Sequence, residues 1–105
     1  MPTSPTQLTL KLLRGDGWTA QVVEVWNPHA RIRQDLFGII DVLAVKGTET
    51  MGVQTTSHTN VASRIRKIGD SPNINAIREA GWTIRVHGWR KVKGRWMLWR
   101  DEDVS

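Results

Sequence analysis

The spacing of apolar residues in the first half of the chain predicts a helix followed by two strands. Ser4-Pro5-Thr6-Gln7 has the pattern of a capping box with proline at the first helical position, so a helix is expected to begin there. Trp18–Trp26 is rich in Val and Trp and favours a strand. Leu36–Lys46 is a nearly continuous apolar run, which predicts a central strand buried on both faces.

The second half predicts a short strand, two helices and a hairpin. The strand is expected over Thr50–Thr56, and the apolar spacing of Thr59–Ile68 predicts a helix. Ser71-Pro72 favours the start of another helix, and Trp82–Trp89 and Arg95–Trp99 favour paired strands. The order α-β-β-β-α-α-β-β predicts an α/β fold, in which helices flank a mixed central sheet.

Composition excludes several classes of protein. The chain has 105 residues, no cysteine and a net charge of +5, from 15 Lys+Arg against 10 Asp+Glu. Without cysteine, disulfide scaffolds, cysteine-ligated zinc and thiol catalysis are impossible. Since no apolar run could span a membrane and the N-terminus lacks a signal-peptide pattern, we expect a single cytoplasmic domain over residues 1–105, with no membrane partner. Residues 100–105, which include the acidic run Asp101-Glu102-Asp103, are expected to form a flexible tail.

The distribution of basic residues makes a polyanion a reasonable partner, although a solvated basic surface is the alternative. In the last fifth of the chain four tryptophans are interleaved with Lys and Arg, a combination that suits unpaired bases and phosphates. At least half of these tryptophans are expected to pack in the core. The candidate nucleic-acid contacts are Arg31, Arg33, Asn60, Arg64, Arg90, Lys91, Lys93 and Arg95.

Asp41 lies in the middle of the most apolar segment, where an ionised carboxylate is costly unless it is paired or binds a cation. A hairpin through Gly47-Thr48-Glu49 would bring Gln54 of the next strand close to it. A carboxylate, an amide oxygen and a strand carbonyl suit Mg²⁺ or Mn²⁺. The alternative is that Asp41 pairs with a nearby arginine or with loop amides.

These features together resemble the PD-(D/E)XK nuclease superfamily. Arg33–Asp41 is similar to an R-x-D-L-F-G-x-x-D stretch in its small Holliday-junction-resolvase-like and phage-type members, and Gln54-Thr55-Thr56 followed by a basic helix is similar as well. The resemblance covers roughly residues 5–100. It implies a restriction-endonuclease-like fold, metal-dependent cleavage of branched or structured DNA, and a homodimer.

The resemblance also implies roles for individual residues. Asp41 matches the first metal ligand, Gln54 stands at the position of the second-strand Glu, and Thr56 stands where the superfamily has a lysine that helps to activate water. Lys67 or Arg64 is expected to replace that lysine, with Lys46 as another possibility. Glu24 is expected to supply a further acid, with Asp35 next in order. The catalytic candidates are Asp41, Gln54, Lys67, Arg64 and Glu24, and the candidate metal ligands are Asp41, Gln54, Thr55 and Glu24.

Two other functions stay open at this stage. The chain could be a nucleic-acid-binding module on the same fold, inactive because Thr56 replaces the lysine. It could also be a small interaction protein in which Asp41 is merely paired, in which case no salt-sensitive DNA binding is expected.

Overall fold

A computed structural model describes residues 3–105, which form an α/β fold with a mixed five-stranded sheet and a separate two-stranded hairpin. The helices are α1 (Pro5–Gly15), α2 (Val61–Gly69) and α3 (Ile74–Glu79), and a short 3₁₀ turn (His58–Asn60) precedes α2. The strands are β1 (Thr19–Val22), β2 (Val25–Asn27), β3 (Ile32–Gln34), β4 (Val42–Lys46), β5 (Glu49–Ser57), β6 (Thr83–Val92) and β7 (Arg95–Asp103).

The main sheet has the order β1-β4-β5-β6-β7, and only the β5–β6 pair is parallel. The expected α/β class with a mixed sheet is therefore confirmed. Helix α1 covers one face, where Leu10 and Leu13 pack in a core that includes Val42 and Val53. Helices α2 and α3 cover the other face, and β5 lies in the middle, buried from Met51 to Thr56.

Helix α1 begins where the capping-box pattern predicts. The Ser4 hydroxyl oxygen accepts a hydrogen bond from the backbone N–H of Gln7 at 3.2 Å, and Pro5 is the first helical residue. The helix is thereby fixed with its N-terminal turn near β5, where the Thr6 hydroxyl lies 2.8 Å from that of Thr55.

The prediction of a central strand over Leu36–Lys46 is wrong, because a tight turn interrupts it. The N–H of Ile39 donates to the carbonyl of Leu36 at 3.1 Å, and Phe37 and Gly38 have φ angles of 55° and 74°. Two successive positive φ values are typical of a type I′ turn. The chain therefore reverses between Leu36 and Ile40, and β4 is only the shorter segment after Asp41.

The expected strand Trp18–Trp26 is also divided. Its first part is β1, at the edge of the main sheet, whereas β2 leaves that sheet and pairs with β3 in the antiparallel hairpin. The alternation of residues does not distinguish these two environments, since both are partly exposed.

The C-terminal residues are not the flexible tail that the composition suggests, because β7 continues to Asp103. Arg85 of β6 forms ion pairs with Asp101 at 2.9 Å and with Asp103 at 3.8 Å across the strands, and Glu102 pairs with Arg100 of its own strand at 2.8 Å. Within residues 3–105, no helix is long and apolar enough to cross a membrane.

Candidate metal centre

Three carboxylates converge at one end of β4. Glu24 follows β1, Asp35 follows β3 and Asp41 precedes β4, and one oxygen from each lies within 4.8 Å of the others. Glu24 and Asp35 are half-buried, and Asp41 is buried. Such a cluster could hold a metal ion.

The backbone of Asp41 is fixed from both sides of β4. Its N–H donates to the carbonyl of Val53 in β5 at 2.9 Å, and its carbonyl accepts from the N–H of Val23 at 2.8 Å. The turn at Leu36–Ile39 then places Asp35 beside it. The proximity of the two aspartates is thus a consequence of local backbone geometry and of strand pairing together.

Gln54 contacts Asp41, and the proximity expected from the hairpin is confirmed. Its Nε2 donates to Asp41 Oδ2 at 2.5 Å, and the backbone N–H and the hydroxyl of Thr55 donate to the same oxygen at 2.8 and 3.1 Å. Gln54 is only 1% exposed, and its Oε1 is buried without a hydrogen-bond partner among the described residues. A buried amide oxygen in this state is costly unless another group satisfies it.

Burial is the largest cause that raises the pKa of Asp41, and its hydrogen bond with Asp35 adds to this, so that the value reaches about 7. Burial also acts to raise the pKa of Asp35, but hydrogen bonds with Asp41 and Lys67 and the charge of Lys67 outweigh it and lower that pKa. Burial and the neighbouring acid thus favour the protonated form of Asp41, whereas Lys67 favours the ionised form of Asp35.

Two cations touch the acidic cluster. Lys67 Nζ lies 3.3 Å from Asp35 Oδ2, and an Arg33 guanidinium nitrogen lies 3.4 Å from Glu24 Oε1. Lys67 thus contacts the acidic cluster, whereas Arg64 is not part of these ion pairs. Lys46 lies elsewhere, since its Nζ donates to the Asp16 carbonyl at 2.7 Å and is 5.6 Å from the centre of the Trp18 ring.

The donor set fits a hard divalent cation. Carboxylate and amide oxygens are the ligands that Mg²⁺ and Mn²⁺ prefer. The second, independent observation is the orphaned Oε1 of Gln54, whose side chain already lies against Asp41 and, at 3.5 Å, against Asp35. If the Gln54 amide turned over, its oxygen would face a cation between the two aspartates, and that cation would also relieve the repulsion between them.

The sequence gives little indication that Asp35 and Thr6 lie at or near the acidic cluster. The signal for Asp35 in the sequence is its place just before the tight turn of Leu36–Ile40, which Asp41 follows. The Thr6 hydroxyl touches Thr55, which in turn bonds Asp41, and no pattern in the sequence indicates this. A cleft of about 440 Å³ opens beside Glu24 between the start of α1 and Arg33.

Most candidate nucleic-acid contacts lie on two hairpins. Arg31 and Arg33 belong to the β2–β3 hairpin, and Lys93 lies in the turn between β6 and β7. Arg95 begins β7, while Arg90 and Lys91 lie over the rings of Trp99 and Trp96 at 4.6 and 5.7 Å. Arg64 lies on α2 and is half-buried. Asn60 immediately precedes α2, and its side-chain amide donates to the Ser57 hydroxyl at 3.2 Å.

The expectation that half of the C-terminal tryptophans pack inside is confirmed. Trp89 is buried and its Nε1 donates to the Thr9 hydroxyl at 2.9 Å, and Trp82 packs against the core beneath α2 and α3. Trp99, by contrast, is 48% exposed. The aromatic surface left for a ligand on β6 and β7 is therefore smaller than the composition suggests.

No model of a known protein family matches the chain, and no curated protein matches it either. A fold by itself does not determine function, so the function has to be argued from the site. The site combines three acids, an unsatisfied buried amide oxygen and an adjacent lysine.

Proposed function

We propose that the protein is a divalent-metal-dependent DNA endonuclease that hydrolyses phosphodiester bonds. The observation that carries this proposal is the convergence of Glu24, Asp35 and Asp41, with the buried Gln54 amide against the two aspartates and Lys67 beside them. Acids gathered by strand pairing and a tight turn, at an energetic cost to the metal-free fold, are typical of a functional site.

Asp35, Asp41 and Glu24 would hold Mg²⁺ or Mn²⁺, and Gln54 and the Thr55 backbone would complete the oxygen ligands. When bound, a divalent cation supplies a water of lowered pKa and neutralises charge that develops on the phosphate. Gln54 brings no charge to this set, so the site is less negative than one with Glu at that position. We expect weaker metal binding than a glutamate would give.

Lys67 is assigned the role of the missing strand lysine. In the metal-free protein its ammonium group is held by Asp35 at 3.3 Å. Once the charge of Asp35 is taken up by a cation, the ammonium group can donate to a phosphate oxygen or orient the attacking water. A positioned cation at this point stabilises negative charge in the transition state.

The exposed cations on the β2–β3 hairpin and at the β6–β7 turn favour DNA as the polyanion. The segregation of charge along β6 and β7 supports this. Acidic residues of β7 pair with Arg85 at one end, while Lys91, Lys93 and Arg95 at the other end have no acidic neighbour in their own hairpin. A homodimer acting on branched DNA remains part of the proposal, because cuts in two strands need two sites.

A second candidate is a DNA-binding module without catalysis. Two observations favour it: Thr56 is buried where the superfamily lysine would stand, and Lys67 is already engaged by Asp35. This candidate predicts the same DNA binding and the same metal affinity, but no cleavage.

One experiment separates these candidates. The purified protein is incubated with supercoiled, linear and four-way-junction DNA in Mg²⁺, Mn²⁺, Ca²⁺ or EDTA, alongside Asp41→Asn. Asp16→Asn, an exposed aspartate outside the cluster, is the matched control. We expect cleavage with Mg²⁺ or Mn²⁺ that Asp41→Asn abolishes and Asp16→Asn retains. Salt-sensitive binding without cleavage of any substrate would overturn the endonuclease and support the DNA-binding module. No DNA binding at all would overturn both candidate functions.

A further inference from the structure

We propose that the β2–β3 hairpin, residues 25–34, is a substrate arm that stacks an unpaired DNA base on Trp26 beside the acidic cluster. This inference rests on the proposed function, since it takes DNA as the ligand, and it names the class of DNA: strands with a base outside the duplex.

The register of the hairpin joins an aromatic ring to the acidic cluster. Trp26 is directly opposite Arg33 in the antiparallel pair, so the two side chains share one face of the hairpin. The Arg33 guanidinium in turn lies 3.4 Å from Glu24. A DNA base stacked on Trp26 would therefore place the DNA backbone near Arg33. The next phosphate along that strand would then lie toward Glu24 and the rest of the acidic cluster.

The hairpin exposes more apolar surface than its own stability explains. Val25, Trp26 and Ile32 are 65%, 56% and 50% exposed, although an isolated two-stranded hairpin is marginal in water. In the register of this pair Val25 and Ile32 lie on the face opposite to Trp26, so the Trp26 face presents one exposed indole ring beside the Arg33 guanidinium group. These residues lie in a segment that is flanked in the sequence by Glu24 and Asp35 of the candidate metal centre.

Charge decides which partner fits this surface. Residues 25–34 contain Arg31 and Arg33 and no acidic residue. Cations interleaved with an exposed indole suit a nucleic-acid strand, because phosphates meet the guanidinium groups and a base stacks on the ring. A second copy of this chain would bring the same positive charges together, which disfavours that occupant.

The arm is shaped before it binds. The Asn27 side-chain oxygen accepts hydrogen bonds from the backbone N–H groups of His29 and Ala30 at 3.0 and 3.2 Å, and its amide donates to Gln34 at 3.3 Å. These bonds fix the turn and leave the Trp26 ring free. Little ordering entropy is then lost when a base stacks on it.

Stacking on an exposed ring requires a base that is free of its own helix. Trp26 should thus discriminate bulged or flapped DNA from a fully paired duplex. Trp99 provides an internal comparison, because it is also about half exposed and lies near Arg90, but it belongs to the β6–β7 pair.

The test is fluorescence anisotropy with two labelled DNAs in Ca²⁺: a paired duplex and the same duplex with one unpaired nucleotide. The variants are Trp26→Ala, Trp26→Phe and Trp99→Ala, each checked by circular dichroism. We expect Trp26→Ala to lose about tenfold in affinity for the bulged DNA and little for the paired duplex. Trp26→Phe should keep most of the preference. Trp99 lies on the basic β6–β7 surface, so Trp99→Ala should change the affinity for both DNAs by the same factor and leave their ratio unchanged.

The outcomes separate this inference from the proposed function. Metal-dependent cleavage together with equal binding of both DNAs by wild type and Trp26→Ala would overturn the arm and leave the nuclease intact. A bulge preference that depends on Trp26 would support the arm even if no cleavage occurred. Conversion of a dimer to a monomer by Trp26→Ala, seen in sedimentation, would show that the hairpin is a contact between subunits and would overturn the arm.

Discussion

The amide of Gln54 donates to Asp41 Oδ2 at 2.5 Å while its own carbonyl oxygen is buried without a partner among residues 3–105. The Gln54 side chain is therefore only partly hydrogen-bonded, since its donor has a partner and its acceptor has none among these residues. A buried polar group left in this state lowers the stability of the free protein. A cation among the acids would provide that bond, because the amide could turn its oxygen toward the metal.

Gln54→Glu is expected to strengthen Mg²⁺ binding and to weaken the metal-free fold. A fourth carboxylate adds an anionic ligand, for which we expect about a tenfold gain in affinity. Without metal it adds like-charge repulsion in a buried place, so the melting temperature should fall. Isothermal titration with Mg²⁺ and thermal melting in EDTA measure the two effects.

Gln54→Leu is the matched control, since it removes the orphaned oxygen and the amide together. It should lose Mg²⁺ affinity without the charge repulsion of the glutamate variant. If Gln54→Glu and wild type bind Mg²⁺ equally, residue 54 is not a ligand.

The stability of the metal-free protein should depend on Asp41 between pH 3.8 and about 7. Burial, together with the hydrogen bond to Asp35, raises the pKa of Asp41 from 3.8 to about 7. In that interval the unfolded chain has released the proton that the folded chain still holds, so the free energy of unfolding falls as pH rises. Above pH 7 both states are ionised and the contribution is constant.

The check is urea denaturation in EDTA of wild type and Asp41→Asn across that range. We expect the stability of wild type relative to Asp41→Asn to decline from pH 4 to 7 and then to level off. Burial lowers the pKa of His87, which costs stability below pH 6.5 in both proteins, so it cancels in the comparison. Parallel profiles would show that Asp41 has an ordinary pKa.

Lys67→Ala should reduce cleavage while DNA binding changes little. If the ammonium group stabilises the transition state, its loss is expected to lower kcat by about 100-fold. Mg²⁺ affinity should rise or stay level, because a cation that competes for Asp35 is removed. Arg66→Ala, one residue away on α2 and exposed, is the control for loss of one positive charge.

Single-turnover rates and Mg²⁺ titrations measure the two effects separately, and Lys67→Arg should restore part of the rate. Equal losses of rate in Lys67→Ala and Arg66→Ala would assign both residues to general attraction of DNA instead.

Gly88→Ala should destabilise the fold. A β-carbon at Gly88 would collide with Val61 Cγ2 and lie 3.1 Å from the His58 Cα, so the start of α2 could not rest on β6 as it does. Overpacking of this kind costs about 1–3 kcal/mol. Gly69→Ala, where nothing lies within 4 Å of the new methyl group, is the control. Equal melting temperatures for the two variants would contradict the close packing at Gly88.

The sequence was sufficient to predict the features that depend on local rules or on strand alternation. The capping box of α1 and the β4–β5 hairpin follow from residue types at fixed positions. That hairpin, with its two-residue turn at Gly47-Thr48, also determined that Gln54 would lie beside Asp41. The family fold implied by the resemblance stays a proposal.

The remaining features depend on backbone geometry and on distant partners. Phe37, with a φ angle of 55°, interrupts an apolar run whose composition is typical of one strand. The hydrophobic pattern cannot reveal this interruption, because a positive φ is uncommon at a bulky residue. The sequence around Asp101 and Asp103 is typical of a solvated tail. Their ion pairs with Arg85 depend on strand pairing, which the sequence does not show. Asp35 and Glu24 belong to the cluster because the chain folds back twice, which composition does not encode.

The β2–β3 hairpin begins just after Glu24 and ends just before Asp35, so both of its ends carry a member of the acidic cluster. A cation held by both residues would close this stretch of chain into a loop, much as a disulfide does, and the closure would reduce the entropy of the open state. Coupling of this kind is reciprocal. If a bound cation stabilises the ordered hairpin by some factor, a ligand that stabilises the ordered hairpin raises the affinity for the cation by the same factor. Substrate and metal would then each be bound more tightly in the presence of the other.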